Sequence, residues 1–158
     1  MDYQIKFKKR TYLGVVRQSG FTLIELIMVI AIFGILFAIS SSVYVNLKVS
    51  SNLKITTGSL VQALRYAEEN AQIGKNDLKW GVEILPNKVV IFGGDSYSNR
   101  DTSLDQILNF PSGIVPSGNS EFVFEKITGW TTTTGTATIT NNSGVKNISV
   151  NEKGTITY

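Results

Sequence analysis

The chain passes from a basic N-terminal segment into an apolar one through Gly20-Phe21-Thr22-Leu23-Ile24-Glu25-Leu26. Between Glu25 and Lys48 lie 22 residues without a formal charge. A helix of that length rises about 1.5 Å per residue and spans about 33 Å, enough to cross a bilayer core of about 30 Å. The sequence therefore predicts a helix that enters or crosses a membrane.

Glu25 is unusual because it places a carboxylate at the edge of this apolar segment. A deep, unpaired carboxylate costs a few kcal/mol in a membrane, so its presence indicates a function and a positively charged partner. Two other interpretations are an ordinary signal anchor whose Glu25 reaches back to the interface, and a secretory signal peptide cut at Ala38-Ile39-Ser40. The signal peptide leaves Glu25 unexplained, and the apolar residues continue past the supposed cut to Leu47.

The heptapeptide resembles the cleavage and assembly motif of type IV prepilins and of the pseudopilins of type II secretion. The resemblance implies that a prepilin peptidase cuts after Gly20 and N-methylates Phe21. It also implies that Glu25 pairs with the amine of a neighbouring subunit during filament assembly. The remaining motif positions are Thr22, Leu23, Ile24 and Leu26. The implied partners are other pilin or pseudopilin subunits, the peptidase, an inner-membrane assembly platform and membrane lipid.

The distribution of charge predicts the orientation in the membrane. The whole chain has a net charge of +3, from 15 basic and 12 acidic residues. Residues 1–20 contain five of the basic residues and one acidic residue, so residues 21–158 contain 10 basic and 11 acidic residues, a net charge of −1. By the positive-inside rule, the basic leader lies in the cytoplasm and the chain beyond Leu47 lies outside it. We expect a single-pass protein of the cytoplasmic membrane.

Residues 21–73 are predicted to form one long helix. Its first half is apolar all round, and its second half carries a narrow apolar stripe at separations of three, four and seven. The stripe comprises Val49, Leu53, Leu60, Leu64, Ala67 and Ala71. We expect this stripe to pack on a sheet, and Gly74 to end the helix in the left-handed conformation.

Beyond residue 79 the sequence is typical of short antiparallel strands separated by turns. Strands are predicted at 80–85, 88–92, 104–110, 121–127, 136–140, 146–150 and 155–158. Pro86 and Asn87 predict a tight hairpin, residues 151–154 predict another, and 93–103 predict an exposed polar loop. Alternation at Phe122 and Phe124, and at Ile148 and Val150, predicts one buried face and one solvated face.

The soluble part resembles the H-type pseudopilins of type II secretion and related minor pilins. The resemblance is based on the helix end at 64–71, the Phe122-Val123-Phe124 strand, Gly129, and the closing Ile148 to Ile156 pattern. Two features differ from many major pilins. The membrane helix has Ser40-Ser41-Ser42 where they have proline, and the chain has no cysteine for their C-terminal disulfide. Without the proline, the resemblance does not imply that the helix melts there during assembly. The missing disulfide favours a minor pilin or pseudopilin.

Catalytic chemistry has little support in the sequence. The chain contains no histidine and no cysteine, so the usual nucleophile and base combinations are absent. Glu68 and Glu69 are adjacent on the helix, about 100° apart, and do not converge as a pair of catalytic acids would; both are expected to be solvated. We expect no enzyme activity and no cofactor.

Three binding hypotheses remain weaker than a plain structural interpretation. Asp95, Asn99 and Asp101 suggest a calcium loop. Counted from Asp95, however, Tyr97, Arg100 and Gln106 occupy the third, sixth and twelfth positions, where an EF-hand loop has an oxygen ligand, a glycine and a glutamate. Trp80 and Trp130 suggest a stacking surface, although large aromatics are more often core residues. The threonines at 131–134, 136, 138 and 140 indicate loop and edge strand, or a glycosylated patch. DNA binding is disfavoured, because residues 21–158 are slightly acidic.

The sequence thus predicts an α+β protein with a long N-terminal helix packed on a small antiparallel β domain. Its parts are a removed leader at 1–20, a transmembrane and assembly helix at 21–47, an amphipathic helix at 48–74 and the β domain at 75–158. The expected function is that of a structural minor pilin or pseudopilin subunit in a type IV pilus or type II secretion pseudopilus. The alternative is a filament-tip binding module, an adhesin or DNA-uptake pilin, anchored through the same helix.

Overall fold

The computed structural model describes residues 20–158, and the side chains of all of these except 39–43. Apart from Gly20, the predicted leader lies outside the described residues, as do the side chains of Ser40, Ser41 and Ser42. Residues 20–158 form one long helix, α1 (Leu23–Gln72), followed by eight strands. The helix predicted at 21–73 is confirmed, with ends that differ by two residues and one residue. The fold is α+β, a long helix packed on antiparallel sheets.

The described chain divides into two compact units that meet between Ser40 and Ser41. In the described residues, the first unit comprises Gly20, Phe21, Thr22 and α1 as far as Ser40, and its described apolar side chains are exposed. Among the described residues, no helix offers a stretch that is long and apolar enough to span a membrane. The membrane segment at 21–47 stays a prediction.

The second unit contains two four-stranded antiparallel sheets. Sheet A has the order β3-β2-β1-β5, and sheet B has the order β4-β6-β7-β8. The strands are β1 (Trp80–Leu85), β2 (Lys88–Gly94), β3 (Arg100–Asn109), β4 (Val115–Gly118), β5 (Glu121–Phe124), β6 (Gly135–Asn141), β7 (Gly144–Val150) and β8 (Ile156–Thr157). Short 3-10 helices occupy Lys75–Asp77 and Tyr97–Asn99.

The core of the second unit lies between α1 and the two sheets. Leu60, Leu64, Ala67 and Ala71 of the helix have no exposed surface, so the predicted stripe is confirmed where it meets the sheets. Alanine at two of these positions lets the helix approach closely. The sheets contribute Trp80, Val82, Phe122, Phe124, Ile139 and Ile148. Val49, the first residue of the predicted stripe, is only half-buried.

Both predicted turn signals in the first part of the β domain are confirmed. Gly74 has φ 64° and follows the helix, so it takes the left-handed conformation expected of a terminating glycine. Leu85 pairs with Lys88 across Pro86 and Asn87, which makes the predicted hairpin between β1 and β2.

Three predictions for the β domain were wrong in part: the length of one loop, the end of one strand and the burial pattern along that strand. The loop predicted at 93–103 is shorter than expected, because β2 continues to Gly94 and β3 begins at Arg100. The strand predicted at 121–127 ends at Phe124, since a turn follows in which Ile127 has φ 72°. The alternation on this strand also fails, because Val123 is buried between Phe122 and Phe124.

One strand was not predicted at all. β4 pairs with β6 at the edge of sheet B and contains Pro116. Proline has no backbone N–H to donate to a ladder and is therefore confined to edge strands within sheets. Pro116 thus explains both why the strand was not predicted and why it lies at an edge.

Candidate processing and assembly site

Thr22 and Glu25 organise the beginning of α1. The backbone N–H of Glu25 donates to the Thr22 hydroxyl at 3.3 Å, and the N–H of Leu26 donates to the Thr22 carbonyl at 3.2 Å. Thr22 is therefore the N-cap, and Glu25 occupies the third helical position, as in a capping box. The prediction from sequence did not include this role, although the Thr-x-x-Glu spacing carries its signal.

Gly20 and Phe21 precede the helix and lie in irregular backbone. Phe21 is 82% exposed, and a β-carbon built at Gly20 would have no atom within 4 Å. Both residues that flank the Gly20–Phe21 peptide bond are exposed. Because the described chain leaves room for a side chain at residue 20, its own packing does not require glycine there.

The carboxylate of Glu25 lies at a position that favours negative charge. The first turn of a helix carries a partial positive charge, so an acid there stabilises the helix by about 0.3–1 kcal/mol. Glu25 is exposed, and the ion pairs found within residues 20–158 do not include it. Its charge is therefore available to a cation on another molecule.

The side chains that surround Glu25 are apolar and exposed. This surface comprises Leu23, Ile24, Leu26, Ile27, Met28 and Ile30. Soluble proteins rarely leave so large an apolar surface uncovered, and a helix that is apolar all round is normally buried in protein or in lipid. The site thus combines a peptide bond between exposed residues, a capped helix start, one carboxylate and an apolar surface.

The three residues of the calcium hypothesis, Asp95, Asn99 and Asp101, line one hollow in the structure. Asp101 accepts hydrogen bonds from the backbone and the hydroxyl of Ser103, which lower the pKa of its carboxyl. Asp95 faces the ammonium of Lys79 at 3.6 Å. Within the part of the chain that the structure describes, no group of three potential metal-ligating side chains is found.

Lys79 connects this loop to the end of β5. Its ammonium donates to the Glu125 carboxylate at 2.8 Å, and that hydrogen bond, with the charges of Glu125 and Asp95, raises the pKa of Lys79 against the opposing effect of burial. Asp95 of the loop and Glu125 at the end of β5 therefore both face a lysine of the same chain.

Glu68 and Glu69 do not form an acid pair. Glu69 is exposed, as expected, but Glu68 is half-buried and accepts a hydrogen bond from Gln72 at 3.2 Å. Burial raises the pKa of the Glu68 carboxyl, and Arg65 opposes the shift. The expectation that both are solvated was wrong for Glu68.

The two tryptophans have different environments. Trp80 is buried in the core and donates its indole N–H to the Lys75 carbonyl at 3.0 Å. Trp130 is 58% exposed, so the expectation that it belongs to the core was wrong. In the threonine-rich segment, Thr131 is buried, and the hydroxyl of Thr133 accepts from the N–H of Val123 at 2.7 Å.

Two comparisons with known proteins give a match to this chain. Residues 16–41 match the family model of the prokaryotic N-terminal methylation motif, which includes Gly20, Phe21 and Glu25. The fold is similar to the structure of the minor pseudopilin EpsH from the Type 2 Secretion System of Vibrio cholerae, with a TM-score of 0.52 and 15% sequence identity. The similarity covers 67% of this chain and 94% of that one. No curated protein matches the chain.

Proposed function

We propose that this chain belongs to the type IV pilin and pseudopilin superfamily and is a structural minor pilin or pseudopilin subunit that is processed and assembled into a filament. The observation that carries the proposal is the exposed Gly20–Phe21 junction, which lies directly before a capped helix with Glu25 in its first turn. In the proposal, prepilin peptidase cuts after Gly20 and N-methylates Phe21. The leader lies in the cytoplasm, the segment at 21–47 lies in the membrane, and the β domain lies outside.

Cleavage after Gly20 creates a new positive charge, the ammonium of Phe21, at a position that does not stabilise it. The ammonium of Phe21 lies at the N-terminal end of α1, whose dipole is positive, so the helix does not neutralise it. Within an apolar helix bundle, both this ammonium and the Glu25 carboxylate lose hydration. Pairing the amine of one subunit with Glu25 of its neighbour offsets the cost of the lost hydration for both charges. The two groups meet only when the neighbouring helices lie at one axial register.

Subunits whose helices pack at this axial register assemble into a filament. Contacts between two different surfaces of neighbouring subunits generate rings where the rotation between subunits closes and open helical filaments where it does not. The exposed apolar surface around Glu25 supplies such a contact between helices. The partners in this step are other pilin or pseudopilin subunits and the assembly platform of the inner membrane.

The role of Glu25 is tested by comparing Glu25→Gln with Glu25→Ala in the native host. Both variants keep the hydrogen bond from the backbone N–H of residue 25 to the Thr22 hydroxyl. Glutamine also keeps a polar side chain that suits this position of a capping box but carries no charge, whereas alanine has neither the polar side chain nor the charge. We expect both variants to be trimmed normally, as judged by intact mass, and both to be lost from sheared filaments. If Glu25→Gln assembles like the wild type and Glu25→Ala does not, helix capping explains the residue and the intersubunit ion pair is wrong.

A further inference from the structure

The hydroxyl of Thr22 accepts a hydrogen bond that a longer helix would make within its backbone. In an α-helix, the N–H of each residue donates to the carbonyl four residues earlier, so a helix that included Phe21 would direct the N–H of Glu25 to the Phe21 carbonyl. In the structure, this N–H donates to the Thr22 hydroxyl at 3.3 Å. The first backbone hydrogen bond of α1 joins the N–H of Leu26 to the Thr22 carbonyl at 3.2 Å. The Thr22 side chain thus competes with continuation of the helix toward the leader.

The carbonyl of Gly20 is the group that this helix boundary leaves free. A helix that began one turn earlier would direct the N–H of Ile24 to the Gly20 carbonyl. Instead, Gly20, Phe21 and Thr22 have irregular backbone, and none of the backbone hydrogen bonds found among residues 20–158 ends on the Gly20 carbonyl. This carbonyl belongs to the peptide bond that is cut in the proposed function.

Hydrolysis of this peptide bond depends on access to its carbonyl. Water adds to the carbonyl carbon of Gly20, the C–N bond to Phe21 breaks, and the products are the Gly20 carboxylate and the Phe21 ammonium. Negative charge develops on the carbonyl oxygen as water adds, and a peptidase stabilises it with donors that must reach this oxygen. An N–H of the same helix bound there would compete with those donors. A helix that ran back across Gly20 would therefore protect the bond.

The surroundings of α1 favour such an extension when the cap is absent. Leu23, Ile24 and Leu26 have exposed apolar side chains, which in the proposed function lie in lipid or against other helices. There, a backbone N–H without a partner has no water to donate to, so it costs more than in solution. A further helical turn is one way to satisfy it. Gly20 opposes that turn, because glycine is a poor helix former, and Thr22 opposes it by capping.

We propose that Thr22 is a positioning residue for the cleavage, because it ends α1 before the scissile bond and leaves the Gly20 carbonyl to the peptidase. The inference rests on the proposed function, since it concerns how the same site is presented to the enzyme. Thr22 acts here through the conformation of the backbone and not through a contact between its hydroxyl and the peptidase. The capping ability of residue 22 therefore sets the rate of trimming.

Five variants at residue 22 separate capping from the other properties of threonine. Serine, asparagine and glycine are accepted at the N-cap of a helix, whereas alanine and valine are not. Valine keeps the shape of threonine without the hydroxyl, and glycine is accepted without any side chain. Thr22→Ser, Thr22→Asn, Thr22→Gly, Thr22→Ala and Thr22→Val are each expressed as the full chain in the native host. Pulse-chase labelling measures the rate at which the membrane-bound precursor is trimmed, and intact mass identifies the first residue of the product.

The expected rates follow the capping preference. We expect Thr22→Ser, Thr22→Asn and Thr22→Gly to be trimmed within about twofold of the wild-type rate, and Thr22→Ala and Thr22→Val about fivefold more slowly, since loss of an N-cap shifts the balance between the two helix starts by about that factor. If Thr22→Ser is fast while Thr22→Asn and Thr22→Gly are as slow as Thr22→Ala, the hydroxyl is needed for a contact of its own and the capping role is overturned. Equal rates for all five variants overturn it as well.

The wild-type chain in the same experiment separates this inference from the proposed function. A wild-type product that begins at Phe21, together with variant rates that do not follow capping, overturns only the role of Thr22. A wild-type chain that is not cut after Gly20 overturns both.

Discussion

Gly154 packs so closely on Gly129 that a β-carbon at position 154 would overlap the Gly129 carbonyl oxygen. Both residues have positive φ, 80° and 68°. A β-carbon at 154 would also lie 3.1 Å from the Glu68 carboxylate, and one at 129 would lie 2.6 Å from the Gln72 amide nitrogen. The terminal hairpin, the turn after β5 and the last turns of α1 therefore interlock through two glycines.

A soluble fragment that starts at Lys48 is expected to fold as a monomer. The unit Ser41–Tyr158 has its own core, in which Leu60, Leu64, Phe122 and Ile139 have no exposed surface. Circular dichroism with cooperative unfolding, together with sedimentation, checks this result. A fragment that stays unfolded would show that the β domain depends on other subunits.

Gly154→Ala is expected to lower the free energy of unfolding of this fragment by about 3 kcal/mol, from overpacking and from the positive φ together. Gly113→Ala is the matched control, because Gly113 has φ 85° but a β-carbon there would have no atom within 4 Å. It carries only the conformational penalty of about 1–2 kcal/mol. Denaturant titrations compare the two, and equal losses would argue against the close packing at 154.

Glu83→Gln is expected to stabilise the fragment at neutral pH. Burial raises the pKa of the Glu83 carboxyl; a hydrogen bond with Ser120 opposes the shift, and the charge of Glu121, its cross-strand partner, adds to it. The folded chain therefore binds this proton more tightly than the unfolded chain, so stability falls as pH rises past the ordinary glutamate pKa of about 4.3.

The gain from Glu83→Gln should be about 0.5 kcal/mol at pH 7, since like charges in facing positions destabilise a sheet modestly and partial exposure screens them. It should vanish below the ordinary glutamate range. Glu152→Gln in the exposed terminal turn serves as the control and should change nothing. Unfolding titrations at pH 7 and at a pH below the ordinary glutamate range check the sign of this effect. A gain that does not depend on pH would contradict the raised pKa of the Glu83 carboxyl.

Arg100→Lys is expected to destabilise the fragment by about 1–2 kcal/mol. Nε of Arg100 donates to both carboxylate oxygens of Asp105 at 2.9 and 3.0 Å, and the guanidinium lies 3.8 Å from the centre of the Tyr97 ring. Lysine keeps the charge but loses the planar contacts. A double-mutant cycle with Asp105→Asn measures the coupling, and a coupling energy near zero would show that the pair contributes nothing.

The elements that could be predicted from the sequence have local signals. The apolar stripe from Leu53 to Ala71 and the hairpin at Pro86 and Asn87 depend on neighbours in the chain, and both are found. β4 could not be predicted, since Pro116 and Gly118 suggest a turn and only the ladder with β6 makes a strand of them. The start of β3 at Arg100 likewise depends on pairing with Gly94.

The candidate site was predictable only in part. Gly20, Phe21 and Glu25 are recognisable from residue type and spacing, and the Thr22 cap could have been. The conformation of Ile127 could not, because it depends on a hydrogen bond to Ala71, which is distant in the sequence. The same applies to the exposure of Trp130, which depends on how the turn after β5 meets the end of α1.

The intact mass of the protein purified from the membranes of its native host tests the central claim most directly. The account predicts a chain that begins at Phe21 with one added methyl group, and a Gly20→Leu variant that keeps the whole leader from Met1. A wild-type chain that begins at Met1, or one that begins beyond the apolar segment, would contradict the proposed processing and the assembly that depends on it.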